Sequence, residues 1–301
     1  MHGKPPFEKA SATFSERIGL LDAVKSVDQD WNPSLQKAID LLQKDWARRG
    51  KRALETIIDL LEQGLRFSKS KLVARESDLE LAKPELERAY REGLEKIERR
   101  AWNEIQRQYR HRALKISIPD SSILNENLFS DRTWQAFGLT GKQLALAAGA
   151  AGAGIGVGLD VAAGGIVFGV FTAAGAAFGA GAALLKGKDL AKLKIKQIPV
   201  GGFKLQLGPN QNPQFPFILL DRVILYAKIC SNWAHARQNR DLSISDENLK
   251  EGSSSRWDAK QRALCSKVFQ AIRKERNDQL ETLYPEFKEI LSSELERNPD
   301  H

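Results

Sequence analysis

Gln143–Leu185 reads QLALAAGAAGAGIGVGLDVAAGGIVFGVFTAAGAAFGAGAALL. These 43 residues carry one charge, Asp160, and include eleven glycines and fifteen alanines. Glycines recur at four-residue spacing as Gly152/Gly156, Gly154/Gly158, Gly165/Gly169 and Gly175/Gly179. On a helix, residues four apart share a face, and a face of glycines lets a second backbone approach closely. Asp160 divides the block into a 16-residue arm, 144–159, and a 25-residue arm, 161–185, so the pattern predicts a glycine-packed helical hairpin. About twenty apolar residues span a bilayer, so the second arm is long enough, whereas the first is short and rich in Gly and Ala. Two placements fit. One is a hairpin in the membrane, with Asp160 at its tip or facing the helix pair; the other is a water-excluded hairpin buried in protein.

The charge placed next to this block sharpens the choice. The chain has 301 residues and a net charge of +8. Lys186, Lys188, Lys192, Lys194, Lys196 and Lys204 stand against Asp189 alone in the stretch that follows the block. Lysines flanking an apolar segment fit the positive-inside bias and attract anionic lipid headgroups. The same lysines also fit a solvated basic loop or a polyanion contact. Nucleic acid is the weaker reading, because no aromatic residues alternate with them to stack bases.

Working outward, residues 1–30 read as an arm or connector, without the apolar core of a secretory signal. Trp31-Asn32-Pro33 predicts a helix start, with Asn32 as cap. Leu35, Ile39, Leu42, Trp46, Ala53, Ile57, Leu61 and Leu65 then follow at helical spacing to about Phe67. Ser77 and Glu80 match a capping box, and Leu86, Tyr90, Leu94, Ile97, Ala101 and Ile105 form the stripe of a second helix. A helical hairpin over 31–113 results. Residues 115–135 read as a connector with a short strand at 115–118.

After the block the period changes to two. Leu193, Ile195, Phe203, Leu205 and Leu207 alternate with Lys or Gln around Pro199-Val200-Gly201-Gly202, which predicts a β-hairpin with Lys192, Lys194 and Lys196 on one face. Residues 208–216 are full of turn formers, and a helix is predicted from about 217 to 240. Asp221 and Arg222, adjacent on that helix, are expected to tie it to the 208–216 loop. Residues 241–255 read as a polar linker, and two amphipathic helices, about 256–279 and 284–296, close the chain. The domain division is therefore 1–30, 31–113, 114–240, 241–255 and 256–301. The fold class is mainly α, a long helical hairpin and a Gly/Ala-rich hairpin with a small β-hairpin.

No enzymatic constellation emerges. Ala136–Gln143 imitates a phosphate loop, but Gln143 stands where a magnesium-binding hydroxyl is needed and no strand precedes it. Cys230 and His235 are five apart and point to different helix faces, so neither a metal site nor a Cys–His pair is expected. Two cysteines, Cys230 and Cys265, form no disulfide framework, which suits a reducing compartment. No cofactor, metal or small-molecule substrate is expected.

One stretch is distinctive: Gly208-Pro209, then Asn212, Phe215-Pro216, Asp221-Arg222, His235 and Arg237, in LGPNQNPQFPFILLDRVILYAKICSNWAHARQ. Following a Gly/Ala-rich hairpin and a basic two-stranded segment, it resembles the uncharacterised C-terminal domain behind a small GTP-binding domain in proteobacterial predicted GTPases, domain-of-unknown-function family 3482. The resemblance implies a helical, membrane-associated module that serves a GTPase switch, with no activity to carry over. The chain has no phosphate loop, no Asp-x-x-Gly and no Asn-Lys-x-Asp. Any GTP hydrolysis thus belongs to a GTP-binding domain in cis or trans, outside these residues. The expected function is a non-catalytic effector and anchoring module at the cytoplasmic face of the bacterial inner membrane. The alternatives are a soluble cytoplasmic module binding ribosome or RNA, and a glycine-zipper pore former.

Overall fold

The computed structural model describes residues 14–27, 31–109, 122–149, 194–197, 202–233 and 252–297. It contains helices α1 (Phe14–Val27), α2 (Asn32–Arg66), α3 (Leu79–Gln108), α4 (Asp131–Phe137), α5 (Gly141–Gly149), α6 (Phe215–Trp233), α7 (Ala259–Arg273) and α8 (Asn277–Glu296), and strands β1 (Lys69–Val73), β2 (Lys194–Gln197) and β3 (Phe203–Leu207). The mainly helical class is the one the periodicity predicts. Gly152, Gly154, Gly156, Gly158, Asp160, Gly165, Gly169, Gly175, Gly179, Lys186, Lys188, Lys192, His235 and Arg237 lie outside the described residues, as does the strand expected at 115–118.

The two long helices form the expected hairpin. α3 runs back along α2: Gln108, at its end, donates to the Thr56 hydroxyl at 2.9 Å, and Tyr109 packs edge-on against Trp46. The buried stripe of α2 is Ala53, Leu54, Ile57, Ile58, Leu60, Leu61 and Leu65. That of α3 is Leu86, Tyr90, Leu94, Glu98, Ala101 and Ile105. The stripe thus passes through Glu98 rather than the expected Ile97, which is half-buried. Neither predicted cap forms. Trp31 occupies the cap position of α2 and Asp78 that of α3, each without a side-chain bond. A turn at Glu76–Asp78 leads directly into α3 and places Ser77 one residue too early for the box.

The β-hairpin is present and gains a strand that periodicity did not reveal. β1, in the short link between α2 and α3, joins it in a sheet of order β1-β3-β2, antiparallel throughout. Leu205 and Leu207 of β3 are buried, and the sheet packs on α3 through that face.

The centre of the molecule is α6, whose residues from 215 to 230 are buried on every side except at Leu225. A helix buried all round must be apolar all round, or else pair its charges. FPFILLDRVILYAKIC satisfies the first condition except at Asp221, Arg222 and Lys228. α3, α2, α4 and α8 surround it. Tight contacts fix this packing: Leu219 sits against Gly64 of α2, and Tyr226 stacks on Trp102 of α3 with centroids 4.6 Å apart. Residues 252–255, expected in a linker, are part of this core. They open a turn at Ser253–Arg256 in which Ser254 is fully buried. The final two helices meet at 274–276, earlier than expected, because Pro285 is accommodated inside α8 instead of starting it.

Arg222 shows how the interior charge is managed. Its Nε and Nη2 donate to Glu98 at 2.6 and 3.2 Å, and its Nη1 donates to the Thr133 hydroxyl at 3.3 Å and the Ile123 carbonyl at 3.4 Å. The pair is 2 % and 4 % exposed. This corrects the expectation that Arg222 ties α6 to the 208–216 loop; it ties α6 to α3 and α4. Removing one partner of such a pair strands the other charge, at a cost of about 3–5 kcal/mol. Glu98→Ala or Arg222→Ala is therefore expected to lower denaturant stability by that amount. Glu98→Leu with Arg222→Met should recover most of it. Single variants within about 1 kcal/mol of the wild type would show that the pair is not buried.

Candidate anion-binding face

The sheet register brings together three of the predicted lysines, Lys194, Lys196 and Lys204, the other three lying outside the described residues. Lys196 lies opposite Lys204, and Lys194 opposite Gln206. On the other side of β3, Leu72 lies opposite Lys204 and Ser70 opposite Gln206. Cross-strand partners share a face. By register, Lys194, Lys196 and Lys204 take positions on the face away from Leu205 and Leu207; Lys204 is exposed, and so is Leu72, at 66 %. Ordinary sheets avoid like charges directly opposite each other, because repulsion opposes the pairing. The remaining lysines of the sheet take register positions on the packed face, where Lys71 pairs with Glu85 of α3 and Lys69 lies over the Phe67 ring at 5.8 Å.

The distinctive 208–222 stretch builds a joint rather than a cleft. Gly208 has φ +92°, and a Cβ there would lie 2.5 Å from the Phe67 carbonyl oxygen, so only glycine fits. Pro209 follows. The Asn210 side chain accepts from the Asn212 amide, and the Asn212 side chain accepts from the Gln214 amide, both at 2.9 Å. Buried Phe215 stacks with Phe129, and Pro216 sits at the start of α6. Arg273 of α7 donates to the Asn212 carbonyl at 2.9 Å. It is Arg273, then, and not Asp221 or Arg222, that holds this loop.

Asp221 faces the opposite way from Arg222. Its carboxylate accepts from the Ser254 amide at 2.9 Å and the Ser254 hydroxyl at 2.7 Å. Gly252 lies so close that an added Cβ would overlap an Asp221 oxygen at 2.0 Å. Ser255 accepts at its carbonyl from Gln143 at 2.9 Å. Gln143 also accepts from the Thr140 amide at 2.9 Å while its own amide donates to the Thr140 hydroxyl at 3.3 Å. The phosphate-loop imitation is therefore a helix cap for α5, preceded by helix α4. Further along, Glu294 accepts from Lys228 at 2.6 Å, Trp257 at 3.2 Å and Arg256 at 3.3 Å. Burial pushes the Glu294 carboxyl up, but the Lys228 bond and charge outweigh it and hold it below the ordinary range.

These buried groups do structural work. Burial pushes the Cys230 thiol up to about 12 and raises that of Cys265 as well, so neither is a thiolate at neutral pH. Among the described residues no group of three His, Cys, Asp or Glu could hold a metal ion. A groove of 540 Å³ beside α5 is floored by Ala145, Leu146, Ala263 and Leu264, with Lys260 and Lys267 at its edge. Glu286 also lines it, 3.8 Å from Lys260 across an exposed ion pair. Leu144 and Ala147, in the first residues of the apolar block, are buried where α5 packs on α7. No helix among the described residues is long and apolar enough to cross a membrane.

Asp221 gives this core a pH signature. Burial raises its pKa from 3.8 to about 7, against the lowering effect of the Ser254 bonds and Arg256, with Glu294 adding to the rise. The folded state therefore binds a proton as pH falls through about 7, whereas an unfolded aspartate does so only near its ordinary value of 3.8. This group makes the fold more stable as pH drops from 7 towards 4; the Glu294 contribution is lost only at lower pH. Asp221→Asn keeps an acceptor for the Ser254 amide and offers a donor to its hydroxyl. Denaturant midpoints across pH 4–8 are expected to rise towards acid for the wild type and to stay flatter for Asp221→Asn. Parallel profiles would contradict it.

The family described as Domain of unknown function (DUF3482) matches residues 2–293, and the chain belongs to that family. No curated protein and no solved structure matches it.

Proposed function

We propose that this member of the family is a non-catalytic anchoring and effector module of a GTPase system, held against the cytoplasmic leaflet of the bacterial inner membrane. The observation that carries this reading is the sheet face on which Lys194, Lys196 and Lys204 stand in register. It follows directly in sequence from a 43-residue apolar block with one charge. A basic surface beside an apolar segment places cations at the headgroup level when the segment enters lipid. The buried charges support the non-catalytic part, since Arg222, Lys228, Asp221, Glu98 and Glu294 all have partners within the core. The GTP-binding partner rests on the resemblance of the 208–237 stretch to the C-terminal domain of predicted GTPases, and the long α2–α3 hairpin is the element suited to carry its state to the core.

Each lysine near an anionic leaflet contributes about 1 kcal/mol. Lys194→Glu with Lys196→Glu and Lys204→Glu is expected to weaken partition onto phosphatidylserine-containing vesicles on the order of 100-fold. Partition onto neutral phosphatidylcholine vesicles should change little. Equal loss on both lipids, or no loss on either, would contradict this role. Salt-sensitive binding of RNA with no preference for vesicles would favour the ribosome or RNA alternative. Leakage of loaded vesicles would favour the pore.

A further inference from the structure

The N-terminal half of α2 stands apart from the core. Between residues 32 and 52 Ile39 alone is buried, whereas the following fourteen residues supply eight buried positions. α1 packs along α2 beside this half, with Lys25 donating to Gln36. The uncovered side is strongly patterned. Lys37, Leu41, Lys44, Arg48 and Lys51 follow at spacings of four, three, four and three, and Arg52 adjoins them; all six are exposed. At 3.6 residues per turn they fall within about 100° of arc, in a stripe about 22 Å long. Leu41, inside the stripe, is 58 % exposed, whereas Leu42 and Trp31, 44 % and 61 % exposed, lie beyond Asp45 on the flank of Ile39 and Trp46. The acids of this half lie at the edges: Asp45 pairs with Arg48 and Arg49, and Asp40 accepts from Gln36 at 2.9 Å.

Cations alone fit any polyanion, but an exposed leucine set among them fits a bilayer interface, where its aliphatic group enters the acyl boundary and the ammonium groups reach phosphates. We infer that this half of α2 is a second lipid-contact element, lying in the headgroup plane of an anionic bilayer. The inference rests on the proposal that the module associates with such a bilayer. The stripe ends 17 residues before β1, about 25 Å along the helix. Contact at both the sheet and the stripe would lay α2 parallel to the membrane and fix the orientation of the α2–α3 hairpin.

The test uses the full chain reconstituted in phosphatidylcholine vesicles with and without phosphatidylserine, with an environment-sensitive dye on Leu41→Cys and, as control, on exposed Gln43→Cys. Blue-shifted emission at 41 but not at 43, in anionic vesicles only, is expected. Lys37→Glu with Lys44→Glu and Lys51→Glu should abolish the shift and weaken anionic partition on the order of 100-fold. Arginine at the same three positions should retain both, and melting should be unchanged because all three sites are exposed. A chain that partitions onto anionic vesicles while its dye at 41 stays in water, with the triple variant unaffected, would overturn the inference and leave the membrane proposal standing. No partition by the wild type would overturn both. A shift produced by RNA and not by vesicles would assign the stripe to nucleic acid and overturn the lipid contact.

Discussion

Arg222, charged and buried at the middle of a helix buried on every side, is the constraint around which the molecule is arranged. An unpaired guanidinium there would cost several kcal/mol. Glu98 supplies its countercharge from α3, while Thr133 and the Ile123 carbonyl take its remaining donors from the α4 region. Trp102 covers one side of the guanidinium, with its ring centroid 5.5 Å away. Asp221, one residue before it, is turned towards Ser254, and Lys228 towards Glu294. Three charges on one helix thereby reach three different parts of the chain. Apolar packing alone would leave the rotation of α6 loosely defined; these pairs set it.

Glu98 and Glu294 are taken up in the core, and Glu85 is drawn to Lys71 on the packed side of the sheet. The outer sheet face and the N-terminal half of α2 carry exposed cations. They differ in kind from the core pairs, because exposed cations gain their energy from a partner's field and lose it in salt. Binding through these faces would therefore be salt-sensitive, unlike the interior pairs.

Much of this fold is legible in the sequence. Strong 3.6-residue periodicity locates α2, α3, α7 and α8, and alternation locates β2 and β3, because each signal arises from many residues meeting one core. β1 escapes notice because KSKLV is short and two of its alternating residues are lysines serving on the packed face. Glu98 escapes because a carboxylate in a core stripe looks like an exposed residue until its partner, 124 positions away, is known. The same holds for the SSSR turn, which reads as linker but is buried since Ser254 is the donor to Asp221. One signal was present throughout: an aspartate and an arginine inside FPFILLDRVILYAKIC demand partners. Their identity is a tertiary fact that no local pattern encodes.

The central claim is that the apolar block and its neighbouring lysines make this a membrane-bound module. Fractionation of cells producing the full chain, followed by alkaline carbonate extraction of the membranes, measures it most directly. The account predicts that the chain stays in the carbonate pellet, and that deleting 150–185, which spares α5 packed on α7, shifts it to the supernatant with its helical content otherwise retained. Recovery of the intact chain as a detergent-free monomer in the supernatant would contradict the account and favour a hairpin buried within protein.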